Sequence, residues 1–110
     1  MVTNVGATFG GFTGLMTAYG GRRNTTTEGG GAGTVYLETG DQGAGNGKLI
    51  IDDNNLTGLF GATIPSNQTW TVRSLVLTNN GILEAGSNST LNIITTNIVS
   101  TTLSTNGIRL

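Results

Sequence analysis

No stretch of helical length in this chain carries apolar residues at i, i+3, i+4 and i+7 without a Gly or Asn cutting across it. The apolar residues come instead in short β-type runs bounded by Gly, Asn or Ser. They fall at Leu15 to Tyr19, Thr34 to Glu38, Lys48 to Asp52, Thr69 to Val72, Leu75 to Thr78, Ile82 to Ala85, Leu91 to Ile94, and Ile98 with Val99. The rest of the chain agrees with this pattern. Gly costs backbone entropy in a helix, Thr is stiff at χ1, and Asn competes for the backbone hydrogen bonds that a helix needs. Apolar types make up 35% and charged types 10% of the 110 residues, a length that suits one domain and a modest core.

In the second half the apolar centres recur too closely for β-α-β units, which need about a dozen residues per crossover. Hairpins are one reading, with Asn80-Gly81 and Asn106-Gly107 as two-residue turns. A solenoid is the other: short strands joined by bends, each stacking in parallel on its counterpart in the next coil. About five coils of roughly twenty residues each would use the whole chain. The sequence thus predicts an all-β, right-handed parallel β-helix, a single β-solenoid domain over residues 1–110. Leu75, Leu77, Leu83, Leu91 and Ile93 are expected to point inward, because they alternate with Val76, Glu84 and Asn92. Asn and Gly are expected at corners, where left-handed backbone is tolerated.

Composition removes several classes of function. With neither Cys nor His there are no disulfides, no imidazole base and no Cys- or His-based metal site. A formal net charge of −1 without a basic stripe offers nucleic acid no electrostatic footprint. No apolar run approaches a membrane span, and the opening residues lack the charged-then-apolar order of a signal peptide, so export is expected to use another route or a signal ahead of this sequence.

The stretch Gly29-Gly-Gly-Ala-Gly-Thr-Val-Tyr-Leu-Glu38, followed by Lys48-Leu-Ile-Ile-Asp-Asp-Asn-Asn55, resembles a segment common in large bacterial surface and adhesin-like β-helix proteins. Phe12-Thr-Gly-Leu-Met-Thr-Ala-Tyr-Gly-Gly21 is similar to the coil that often precedes it. Thr63 to Val72 and Ser74 to Glu84 look like later coils. The resemblance spans about residues 9 to 94 and implies a pectate-lyase-like parallel β-helix of extracellular type. It does not imply lyase activity, because function belongs to a site and not to a fold.

The candidate sites are few. Asp52 and Asp53, with Asp41 upstream, are oxygen donors of the kind that suits structural Ca²⁺. Adjacent strand residues point to opposite faces, however, so a corner or cap role is the better account of this pair. Glycosidases need two carboxyls at set separations, and the six acids show no such arrangement; nor is an acid grouped in sequence with Arg73. Gly43 to Lys48 fails as a phosphate loop, since Gln42 and Leu49 stand where Gly and Ser/Thr are required. Trp70 is the candidate for stacking on a sugar ring, set against a packing role at the core edge. Thr spacing drifts too much for an ice-binding ladder, and the Asn-x-Thr triplets are expected by chance in so Asn- and Thr-rich a chain.

These features predict no enzyme, no catalytic residue and no cofactor beyond a structural Ca²⁺. They predict a secreted or cell-surface structural module of an adhesin or self-assembling fibre. Neither end carries a polar capping element, so partners are expected to be further copies, end to end or side by side. The alternative is a carbohydrate-binding or polysaccharide-cleaving module of the lyase or tail-spike type.

Overall fold

The structure, a computed structural model, describes residues 8–22, 29–57, 60–94, 98–100 and 107–109. Among these described residues nine short strands follow one another: β1 (Val35–Leu37), β2 (Lys48–Asp52), β3 (Ala62–Ile64), β4 (Thr69–Val72), β5 (Ser74–Thr78), β6 (Ile82–Ala85), β7 (Thr90–Ile93), β8 (Ile98–Ser100) and β9 (Gly107–Arg109). They form three small sheets, ordered β1-β2-β5-β8, β3-β6-β9 and β4-β7. The helical segments among the described residues are two 3-10 turns, Phe9–Gly11 and Gly40–Gln42.

From β2 onward every pairing is parallel and joins strands that are not consecutive in sequence. Leu49 pairs with Leu75 and Ile51 with Leu77; Ala62 pairs with Leu83; Trp70 pairs with Leu91 and Val72 with Ile93. The alternation within each strand decides which residues meet in the interior. Leu49, Ile51, Leu75 and Leu77 are buried while their neighbours are partly exposed, so like stacks on like between adjacent strands. Leu75, Leu77 and Leu83 lie in the buried cluster with Ile64 and Val72, whereas Leu91 and Ile93 are half-buried and pack against its side. Fully burying a Leu side chain contributes about 1.5–3 kcal/mol, so this cluster is the main apolar stabiliser.

Asparagines make the corners. Asn54, Asn55, Asn67, Asn79, Asn80 and Asn88 all have positive φ, between 49° and 67°. At the end of β2, Asn54 N–H donates to Asp52 Oδ1 (2.9 Å), a local turn that stops the strand. Corner backbones also bond to one another: Asn55 N–H donates to Asn79 O and Asn67 N–H to Ser87 O, each at 3.0 Å. Asn80-Gly81 is therefore a bend from β5 to β6, in a different sheet, and not a hairpin turn. Gly is required there by close approach, since a Cβ on Gly81 would lie 2.3 Å from Ile51 O.

The five-coil β-helix expected from the sequence is not what the chain forms. The sheets are small, mixed in direction and not closed into a continuous wall, and before Lys48 the described residues contain a single three-residue strand. That strand, β1, pairs antiparallel with β2, Val35 opposite Ile50 and Leu37 opposite Lys48. The physical reason is the connection between them. Residues 38–47 fold into a tight 3-10 turn and a glycine bend, with Gly43 and Gly45 at φ of 79° and 81°, and reverse the chain locally. A parallel arrangement would have needed a longer crossover. The strand expected at Leu15 to Tyr19 is likewise absent: these described residues lie in irregular chain, and Leu15 is 81% exposed.

Candidate functional site

The acidic residues singled out in the sequence do not converge. Asp41 is exposed in the 3-10 turn. Asp52 is half-buried, and its Oδ1 is occupied by Asn54 N–H and by Asn79 Nδ2 at 3.0 Å. Asp53 is 2% exposed, with Oδ1 accepting from Gly20 N–H at 3.1 Å. The alternation of a strand sends the two neighbouring carboxyls to different partners, and no group of three or more acids assembles among the described residues. Burial pushes the Asp53 carboxyl above the usual aspartate range; the Gly20 N–H opposes this and the neighbouring Asp52 charge adds to it. These groups act as corner fasteners: Asp52 ties successive corners together, and Asp53 ties the segment before Gly21 to the end of β2.

A second polar cluster escaped the sequence reading. Glu38 is buried and accepts from Tyr36 Oη in a short hydrogen bond and from Gly45 N–H at 2.9 Å, while Tyr36 Oη accepts from Gly47 N–H at 3.0 Å. Burial, and then the bond to Glu38, raise the Tyr36 phenol above its ordinary pKa. The signal was the spacing: Tyr36 and Glu38 are two apart, on one face of an extended run, with glycines seven and nine residues beyond Glu38. The cluster clamps the glycine loop against β1 and holds the Tyr36 ring in place.

That ring helps form a cleft of about 330 Å³ lined by Thr34, Tyr36, Leu49, Thr69, Trp70, Thr71 and Val72. Tyr36 and Leu49 are cross-strand partners in the β1–β2 pair, so they share a face and make the floor. The wall is β4. Trp70 is half-buried and packs against the core, and Thr69 and Thr71 are exposed. Trp70 therefore reaches the cleft from the core side and is not a free-standing aromatic platform. Arg73 follows β4 immediately, its N–H bonded to Gly47 O at 2.8 Å.

Comparison with known protein families, with curated proteins and with solved structures found no match to this chain. The likeness to adhesin-type proteins accordingly rests on the quoted motifs alone. No helix among the described residues is long and apolar enough to cross a membrane.

Proposed function

We propose that this chain is a non-enzymatic structural module that associates end to end with another copy of itself through the end formed by β7, β8 and β9. One observation carries the reading. These three consecutive strands are the outermost members of their three sheets on the same side, and among the described residues none has a partner beyond it. A row of unpaired N–H and C=O groups is a template for another strand. The opposite end differs, because β1 already covers β2 there. With one open and one partly covered end, the favoured contact is isologous, open end to open end, which closes a pair and does not propagate a filament. The low charge, the Gly-, Thr- and Asn-rich composition and the motif resemblance support placing such a module at a cell surface or in a secreted assembly.

Sedimentation velocity over a wide concentration range, on the wild type and on Ile94→Glu, tests this. Ile94 is 56% exposed beside β7, so the charge leaves the core intact. A monomer–dimer equilibrium weakened by Ile94→Glu is expected. A monomer at every concentration overturns the proposal, as does association that survives Ile94→Glu and is lost instead in Leu15→Glu.

A further inference from the structure

The dipeptide Asn-Gly occurs at Asn46-Gly47, Asn80-Gly81 and Asn106-Gly107, and it is chemically self-reactive. The backbone nitrogen of the glycine attacks Cγ of the asparagine side chain, the Cγ–Nδ2 bond breaks and ammonia leaves. Water then opens the cyclic imide to Asp or to isoaspartate. Glycine favours the step because no Cβ shields its nitrogen and its backbone rotates freely. The attack needs that nitrogen to give up its proton and the asparagine side chain to fold forward onto it. What holds those two groups therefore sets the rate. Asn106 lies outside the described residues.

At Asn80-Gly81 the bend itself holds them. Gly81 is buried, its N–H donates to Thr78 O at 2.9 Å, and Asn80 Nδ2 donates to Leu56 O at 3.2 Å. At Asn46-Gly47 the hold comes from a side chain eleven residues before the glycine. Gly47 is buried, and its N–H donates to Tyr36 Oη at 3.0 Å, while the Tyr36 hydroxyl is itself committed to Glu38. Asn46 Nδ2 donates backward to Gln42 O at 2.7 Å, away from the glycine. The Tyr36 ring also closes the space around Gly47, where a Cβ would lie 2.5 Å from Tyr36 Cζ. Gly47 O accepts from Arg73 N–H at 2.8 Å, so the glycine is held at both of its backbone groups.

We infer that Asn46 is a self-modification site kept silent by the Tyr36–Glu38 clamp, and that opening of the clamp releases its conversion to Asp or isoaspartate. The product stands next to Gly45, whose N–H donates to buried Glu38 at 2.9 Å. Asp adds a negative charge to this loop, and isoaspartate also lengthens its backbone by a methylene group. Both oppose re-forming the clamp, and the loss of ammonia makes the change one-way.

The test incubates the whole chain in mildly alkaline buffer, with and without urea, and quantifies Asp and isoaspartate at Asn46 and Asn80 by mass spectrometry of separated peptides. In the native chain both positions are expected to react about tenfold or more slowly than in urea. Tyr36→Phe keeps the ring and removes the acceptor for Gly47 N–H. It is expected to speed Asn46 toward its rate in urea, while Asn80, held by its own bend, stays slow. Native wild type converting Asn46 at the urea rate overturns the inference, as does a Tyr36→Phe chain in which Asn46 stays as slow as in wild type. Should Tyr36→Phe unfold the chain, seen as Asn80 speeding up together with Asn46, the wild type decides. Below the urea midpoint, Asn46 conversion and Gly47 amide exchange are then expected to rise in proportion, and conversion that does not follow Gly47 exchange overturns the inference.

Discussion

Residues 8–47 and residues 48–94 are built from similar vocabulary, short apolar runs among Gly, Thr and Asn, yet they take on different structure. In the later region each run lies beside a parallel partner at matching register, and Leu75 and Ile51 are wholly buried between them. Among the described residues of the earlier region one strand, β1, has a strand partner. Phe12, Leu15 and Met16 stand exposed, and the region is attached to the later one through the β1–β2 pairing, through buried Ala32, and through the hydrogen bonds from Gly20 N–H to Asp53 and from Arg73 N–H to Gly47 O. A β-type run becomes a strand only where another edge is presented to it, because its backbone groups must be satisfied by something outside itself.

The comparison is broken most directly by emptying the interior. Leu75→Ala is expected to cost about 2–5 kcal/mol of unfolding free energy in urea melts, and Leu15→Ala to stay within about 0.5 kcal/mol of wild type. Equal losses at the two positions would show that the earlier region carries a core of its own. Close packing gives a second contrast. Gly81→Ala places a methyl against Ile51 O and is expected to cost about 1–3 kcal/mol, whereas Gly11→Ala meets no atom within 4 Å and should be close to neutral by thermal melting.

The smallest effect sits at the junction between the two regions. The folded-state pKa of Asp53 is raised, so the folded chain holds this proton more tightly than the unfolded chain does. Its contribution is fully present below the unfolded aspartate pKa and is lost as pH rises through the raised folded value. Asp53→Asn keeps an oxygen for Gly20 N–H and removes the ionisation. It is expected to flatten the pH dependence of stability just above the ordinary aspartate range, measured as midpoint shifts across a pH series. An unchanged pH profile would place the titrating group elsewhere.

Much of the strand content was legible because it is local. The runs at β2, β4, β5, β6 and β7 announce themselves through alternation, and Leu75, Leu77 and Leu83 through their place in it. β3 was not legible: Ala62–Ile64 holds two apolar residues between Gly61 and Pro65, and only pairing with β6 makes it a strand. The cleft was half legible. Trp70 stood out as an aromatic on a Thr-rich strand, but the contribution of Tyr36 depends on the antiparallel turn of residues 38–47 that brings β1 back onto β2. The acids Asp41, Asp52 and Asp53 are near in sequence, and the end of a strand sends them apart.

The amino-acid order by itself determined that this chain is β-rich, where several of its bends fall, and that Leu75, Leu77 and Leu83 turn inward, since each follows from propensity and alternation within a few residues. Left-handed corners at Asn54, Asn55, Asn79 and Asn80 belong to the same class, because the side chain that permits them is their own. Only the tertiary structure decided which edges pair, in which direction, and where an edge is left over. Backbone donors and acceptors are the same at every strand, so the choice among partners rests on connection length and on the packing of residues far apart in sequence.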